Sequence, residues 1–210
     1  FDDAGAASRT RILTALQYAM EHGADIINMS LGGKGYASTI QTAVNKAVKA
    51  GVTVIAAMGN DGTNAMDYPA AHNGVIAVVA TDNTNTRAFF SNYGSWADIA
   101  APGQDIYSSI ASGSSSYALY NGTSMAAPVV AAMAAILRSE FADRDLYPTK
   151  FIYGQLAATS DYYGDDRAHQ IVNLEAALTK MPKPDVTYKD YRLFDDPKYS
   201  EKNNCDGVID

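Results

Sequence analysis

Cysteine is nearly absent: Cys205 is the single thiol in 210 residues, which excludes an internal disulfide framework and a cysteine-ligated zinc cluster. Histidine is scarce too, with only His22, His72 and His169 available. Positive charge is in deficit, 16 Lys and Arg against 23 Asp and Glu for a net charge of -7, and no basic cluster occurs. That balance argues against nucleic acid as a partner. No apolar run reaches the roughly 18 residues that a membrane-spanning helix needs, and no signal peptide is visible at Phe1. What is abundant is apolar side chain, at 47% of the sequence, enough for one domain with a buried core.

Periodicity orders that apolar content. Apolar positions between Arg11 and Glu21 recur at helical spacing, and Ala24–Ser30 reads as a short buried strand ending at Leu31-Gly32-Gly33. A second helix over Ile40–Ala50 stops at Gly51, and a strand over Val52–Ala57 runs into the turn Gly59-Asn60-Asp61-Gly62. Strand, helix and strand in this order imply a βαβ unit and a parallel sheet. Further strands are expected at Val75–Ala80 and Ile106–Ile110, and peripheral helices at Lys150–Thr159 and Asn173–Leu178. From Met181 the prolines and charges of a linker replace periodicity, so residues 1–181 form the expected domain and 182–210 a linker with the start of a further module.

The most informative stretch is Asn121-Gly122-Thr123-Ser124-Met125-Ala126-Ala127-Pro128, which leads into the alanine-rich segment Val129–Leu137. It sets a serine between a glycine turn and a buried helix. A nucleophilic hydroxyl suits that place, because the helix N-terminus favours developing negative charge and small neighbours admit a substrate carbonyl. The alternative is that Thr123 or Ser124 merely caps the helix. A nucleophile elbow of the Gly-x-Ser-x-Gly type is excluded by Ala126 in its last position.

Taken with Ser30-Leu31-Gly32-Gly33, Ala57-Met58-Gly59-Asn60-Asp61-Gly62, Tyr68-Pro69-Ala70, Phe90–Gly94, Ala101-Pro102-Gly103 and Val172-Asn173, this stretch resembles the subtilisin-like serine peptidases. The resemblance implies a three-layer α/β fold, a central mostly parallel sheet flanked by helices, with the N-terminal part of the domain absent from this chain. It implies that Ser124 is the nucleophile and that the Asn60 amide, with the Ser124 backbone N–H, holds the oxyanion. Ser30, Leu31 and Gly32 match the strand that pairs with an extended peptide substrate. Ala57, Met58 and Gly59 match the opposite wall of the primary specificity pocket, with Asp61 and Tyr68-Pro69-Ala70 near its base. Met58 in that wall suggests an apolar preference; its alternative placement is in the core. Gly5-Ala6-Ala7 falls on the second substrate-flanking strand.

The family's His-Gly-Thr-His base motif and Asp-Ser/Thr-Gly acid motif do not occur. None of the three histidines has the required neighbours, so surface or capping roles are expected for them, and Asp25, Asp98 and Asp105 also lack the acid motif. The acid and base are expected upstream of Phe1, in the N-terminal part of the same domain, and the isolated chain is expected to be inactive. The implied activity of the whole protein is serine endopeptidase action on polypeptides; the alternative is a non-catalytic peptide-binding or regulatory relative. The chemistry requires no cofactor. Structural calcium is compatible with the resemblance: Asp98 matches a position near a weak cation site in some members, and Asn204–Asp210 partly resembles a calcium loop. A bound loop aspartate and a plain Asp-Gly turn are the respective alternatives. Location outside the cell, secreted or at the surface, is implied by the resemblance alone.

Overall fold

The structure is a computed structural model that describes residues 7–162 and 170–180. His169, Gly5-Ala6, the 182–210 segment and its calcium-like loop lie outside the described residues. The expected elements form close to their expected places. Helices α1 (Arg9–Glu21) and α2 (Ser38–Lys49) precede strands β1 (Ile26–Met29) and β2 (Thr53–Ala57) respectively, and β3 (Val75–Thr81) and β4 (Ile99–Pro102) follow. After the hairpin β5 (Ile106–Ser109) and β6 (Tyr117–Tyr120) come α3 (Thr123–Glu140), α4 (Thr149–Ala158), β7 (Asp161–Tyr162), β8 (Gln170–Ile171) and α5 (Leu174–Thr179).

The main sheet has the order β1-β2-β3-β4-β8-β7. Every neighbouring pair is parallel except β7 with β8. Such a sheet must be covered on both faces, and its central strands therefore read as unbroken apolar runs: β2 and β3 are buried at every position. Strand parity divides them between two cores. Ile55, Ala57, Ile76, Val78, Ala80, Ile99 and Ala101 face the layer of α3, α4 and α5. Val54, Ala56, Met58, Val75, Ala77, Val79 and Ala100 face the layer of α1 and α2. The architecture is thus the expected three-layer α/β fold. The strand expected at Ile106–Ile110 forms as β5 and pairs with β6 in a separate two-stranded hairpin.

Helix α3 crosses under β1, β2, β3 and β4. Its buried positions Thr123, Ala126, Ala127, Val130, Ala134 and Leu137 follow helical spacing. With alanine at half of these positions it packs against the sheet, and its N-terminus emerges at the carboxyl ends of β1 and β2. Loops at that edge are where an open α/β sheet builds its sites.

Candidate active site

Ser124 lies in the first turn of α3, whose N-cap is Gly122 with no side-chain capping bond. The capping explanation for Thr123 and Ser124 therefore does not hold: neither hydroxyl closes the helix. Ser124 is half-buried, and its Oγ makes only a long contact to the Ser30 carbonyl at 3.4 Å. In the first turn the Thr123 N–H donates to Asn60 and the Met125 N–H to the Gly122 carbonyl at 2.9 Å, and Ser124 sits at the positive end of the helix dipole.

Pro128 explains a second contact here. Proline has no N–H, so in a helix it leaves the carbonyl four residues earlier without its usual donor. That carbonyl is Ser124's, and the Ser30 hydroxyl donates to it at 2.8 Å, while Asn28 Nδ2 donates to Ser30 Oγ at 3.0 Å. The loop after β1 is thereby fastened to the residue that carries the hydroxyl. Ser30, expected from the sequence as part of a substrate-pairing strand, also ties that strand to α3.

Asn60 is fixed from the same helix start. Its Oδ1 accepts from the Thr123 N–H at 2.8 Å and from the Thr123 hydroxyl at 3.0 Å. A backbone N–H can only donate, so the atom facing it is the amide oxygen and the amide orientation is settled by chemistry. The Asn60 Nδ2 group lies 3.4 Å from where a Cβ on Gly122 would stand, a point 3.6 Å from the Ser124 nitrogen, and Asn60 lines the cleft described below. The Thr123 hydroxyl also accepts from the Gly59 N–H at 3.0 Å. Gly59 holds φ at +104°, a value glycine tolerates, and a Cβ there would fall 2.3 Å from Asp67 Oδ2.

A cleft of about 290 Å³ joins these residues, lined among others by Leu31, Gly32, Ala57, Gly59, Asn60, Thr123 and Ser124. Of the two walls expected from the sequence, Leu31 and Gly32 are thus brought together with Ala57 and Gly59, while Ser30 lines an adjacent cleft and Met58 requires a correction. Met58 is fully buried in the core on the α1 and α2 side, since parity places it with Val54 and Ala56, and it does not line the cleft. Sequence reasoning also missed the polar base of the cleft. Asp67 sits between the walls: its Cβ is 4.0 Å from a Cβ built on Gly32, and its Oδ2 crowds Gly59. Asn92 Nδ2 donates to Asp67 Oδ2 at 3.2 Å and to the Met58 carbonyl at 3.0 Å. Lys34 Nζ lies 2.7 Å from Asp67 and 2.8 Å from Asp61, and hydrogen bonding to Asp61, then Asp67, raises its pKa above the ordinary lysine value.

The opposite side of the Leu31–Gly35 segment borders a larger cleft of about 430 Å³ lined by Ala7, Arg9, Ile12, Ile40, Tyr68 and His72. His72 is buried to 1% exposure and pairs through Nδ1 with Gln41 Oε1 at 3.1 Å, so the surface or capping role expected for it is wrong. Gln41 Oε1 also accepts from the Asn73 N–H, which makes His72 Nδ1 the protonated nitrogen. His22 is exposed, bonded to the Tyr18 carbonyl at 2.8 Å and stacked on the Tyr18 ring. Neither histidine lines the Ser124 cleft. Asp98 is fully buried and accepts from the Ala77 N–H at 2.8 Å and the Tyr153 hydroxyl at 3.2 Å. It is a structural carboxylate in the core. Among the described residues no group of three or more His, Cys, Asp and Glu is placed to hold a metal ion.

A match to the subtilase family covers residues 1–171. Subtilisin DY of Bacillus licheniformis is 37% identical over 185 residues, covering 84% of this chain and 65% of that protein. Thermitase of Thermoactinomyces vulgaris is 44% identical over 139 residues, or 66% of this chain and 49% of that one. Among solved structures, the prenylagaramide maturation protease PagA superposes with a TM-score of 0.77 at 29% identity, covering 87% of this chain and 71% of that chain. The self-cleaved protease domain of PatA gives a TM-score of 0.76 at 30% identity, with 85% and 70% covered. The chain spans about half to two thirds of the length of the curated relatives it matches.

Proposed function

The chain belongs to the subtilase family, and from that premise we propose that the full-length protein is a serine endopeptidase with Ser124 as nucleophile and Asn60 as oxyanion donor. The observation that carries this reading is the coupling of the two residues through one turn of helix: the Thr123 N–H and hydroxyl hold Asn60 Oδ1 while Ser124 follows directly in the chain. In the reaction, Ser124 Oγ attacks the scissile carbonyl as its proton passes to a histidine. The carbonyl oxygen, now negative, is held by Asn60 Nδ2 and the Ser124 N–H, donors already oriented before charge develops. The histidine returns the proton to the leaving amine, and water, deprotonated by the same base, releases the acyl group.

The base and its orienting aspartate belong, in this reading, to a segment preceding Phe1. Two features support it: neither described histidine faces the cleft, and β1 is an edge strand among the described residues. Beside β1 runs a cleft of about 240 Å³ lined by Ile12, Leu16, Ile27, Met29 and Leu31, an apolar edge suited to cover by another strand. Export from the cell is proposed on the family likeness; no helix among the described residues is long and apolar enough to cross a membrane. The test is peptide hydrolysis by the full-length protein. Ser124→Ala is expected to lower turnover by about 10⁶-fold, the loss typical of removing a triad nucleophile, while peptide binding persists. Undiminished hydrolysis by that variant sinks the assignment.

A further inference from the structure

Resting on the peptidase reading of Ser124, we propose that the primary specificity pocket takes lysine or arginine on the amino side of the scissile bond. Asp67 is the buried counter-charge, and Lys34 is an internal occupant that the substrate's cation displaces. The cleft beside Ser124 holds two carboxylates, Asp61 and Asp67, against one ammonium, Lys34, so its formal charge is negative even with the lysine in place. The Asp67 side chain is only 8% exposed, and Asn92 keeps its Oδ2 at the base between the Gly32 and Gly59 walls. Its Oδ1 is buried, and the contact that meets it is the Lys34 ammonium at 2.7 Å. A buried carboxylate oxygen in that state has bonding capacity left for a donor arriving through the cleft.

Lys34 itself shows that a lysine ammonium fits. It reaches Asp61 and Asp67 together, yet its side chain is 55% exposed, and a hydrated ammonium on a four-carbon stem moves to water with little loss. A substrate guanidinium or ammonium entering past Ser124 takes Asp67, while Lys34 keeps the rim carboxylate of Asp61, which is 60% exposed. An apolar side chain would leave Asp67 Oδ1 no better bonded, and an acidic one would meet the negative floor. The apolar preference suggested by Met58 loses its basis, because Met58 faces the core.

The experiment uses the full-length protein and peptide amides that differ only in the residue before the scissile bond: lysine, arginine, phenylalanine or glutamate. Lysine or arginine is expected to exceed phenylalanine by at least about tenfold in kcat/KM, with glutamate poorest. Asp67→Asn is expected to cut the lysine-to-phenylalanine ratio about tenfold, and Lys34→Ala to raise it several-fold. A preference for phenylalanine, or a ratio that ignores both substitutions, overturns the proposal. Should Asp67→Asn fail to fold, Lys34→Ala at its exposed position decides: a ratio that stays or falls contradicts the displacement. If no peptide is cleaved, the peptidase reading fails separately. Specificity is then read by calorimetry on Ser124→Ala with peptides ending in lysine or phenylalanine, where tighter lysine binding supports the acidic pocket and tighter phenylalanine binding overturns it.

Discussion

At Asn60 the amide oxygen is committed to Thr123 by two hydrogen bonds, which leaves the NH₂ group for the oxyanion role proposed above. Asn60→Ala should lower kcat by about 10²–10³-fold with little change in KM, because the donor matters only once negative charge develops; the magnitude is the one found on removing the equivalent donor of subtilisin. Steady-state kinetics of the full-length protein check the split, and a rise in KM at constant kcat would place Asn60 in ground-state binding. Lys34 carries a second prediction. Its raised pKa means the folded state favours its charged form. The contribution is complete below the ordinary lysine pKa and is lost as pH rises through the raised value. Exposure screens it, so it should also shrink with added salt. Unfolding midpoints across alkaline pH, for the parent and Lys34→Ala, should converge above that pKa.

At this scale the sequence was legible where chemistry sits in contiguous motifs. Ser124 and Asn60 stand out within Gly-Thr-Ser-Met-Ala and Gly-Asn-Asp-Gly. Asp67 and Lys34 did not, because they lie 33 positions apart and meet only when the two walls fold together. Met58 was misplaced by motif but was readable by parity, since it is in phase with Val54 and Ala56 on a strand buried on both faces.

Among the elements, α3 carries the site and depends on two contacts that no periodicity announces. The Ser30 hydroxyl replaces the N–H that Pro128 lacks. Ser30→Ala should leave the Ser124 carbonyl short of a partner and cost about 1 kcal/mol, read as a fall in unfolding midpoint of about 2–4 °C for a chain of this size. An unchanged midpoint would show that water replaces the hydroxyl fully. Gly103, just past β4, packs against α3: a Cβ there would come within 2.6 Å of the Ala80 Cβ and 2.8 Å of the Gly122 carbonyl. Gly103→Ala should therefore displace the Gly122–Ser124 turn and destabilise by about 1–3 kcal/mol, visible as a lowered midpoint together with lost activity. The strands and helices of the βαβ run were readable from apolar periodicity. The two-residue strands β7 and β8 were not, since a pair of residues has no period to detect.

Across the whole molecule, a parallel sheet covered on both faces brings the loops after β1 and β2 and the start of α3 to one edge, where the proposed function puts peptide hydrolysis. The order of elements made that architecture legible before any coordinates. What the sequence could not express is that β1 is an edge strand among the described residues, a property of who pairs with whom rather than of any residue. If a preceding segment supplies the base, residues 1–210 alone should leave Ser124 without a proton acceptor and inert, whereas the full-length protein should be reactive. The most direct measurement is labelling by a fluorophosphonate, which forms a covalent bond only with an activated serine, followed by peptide mass analysis. The account predicts an adduct at Ser124 in the full-length protein, none in Ser124→Ala, and none on the isolated chain. Labelling that survives Ser124→Ala, or an isolated chain labelled as fast as the full-length protein, would contradict it.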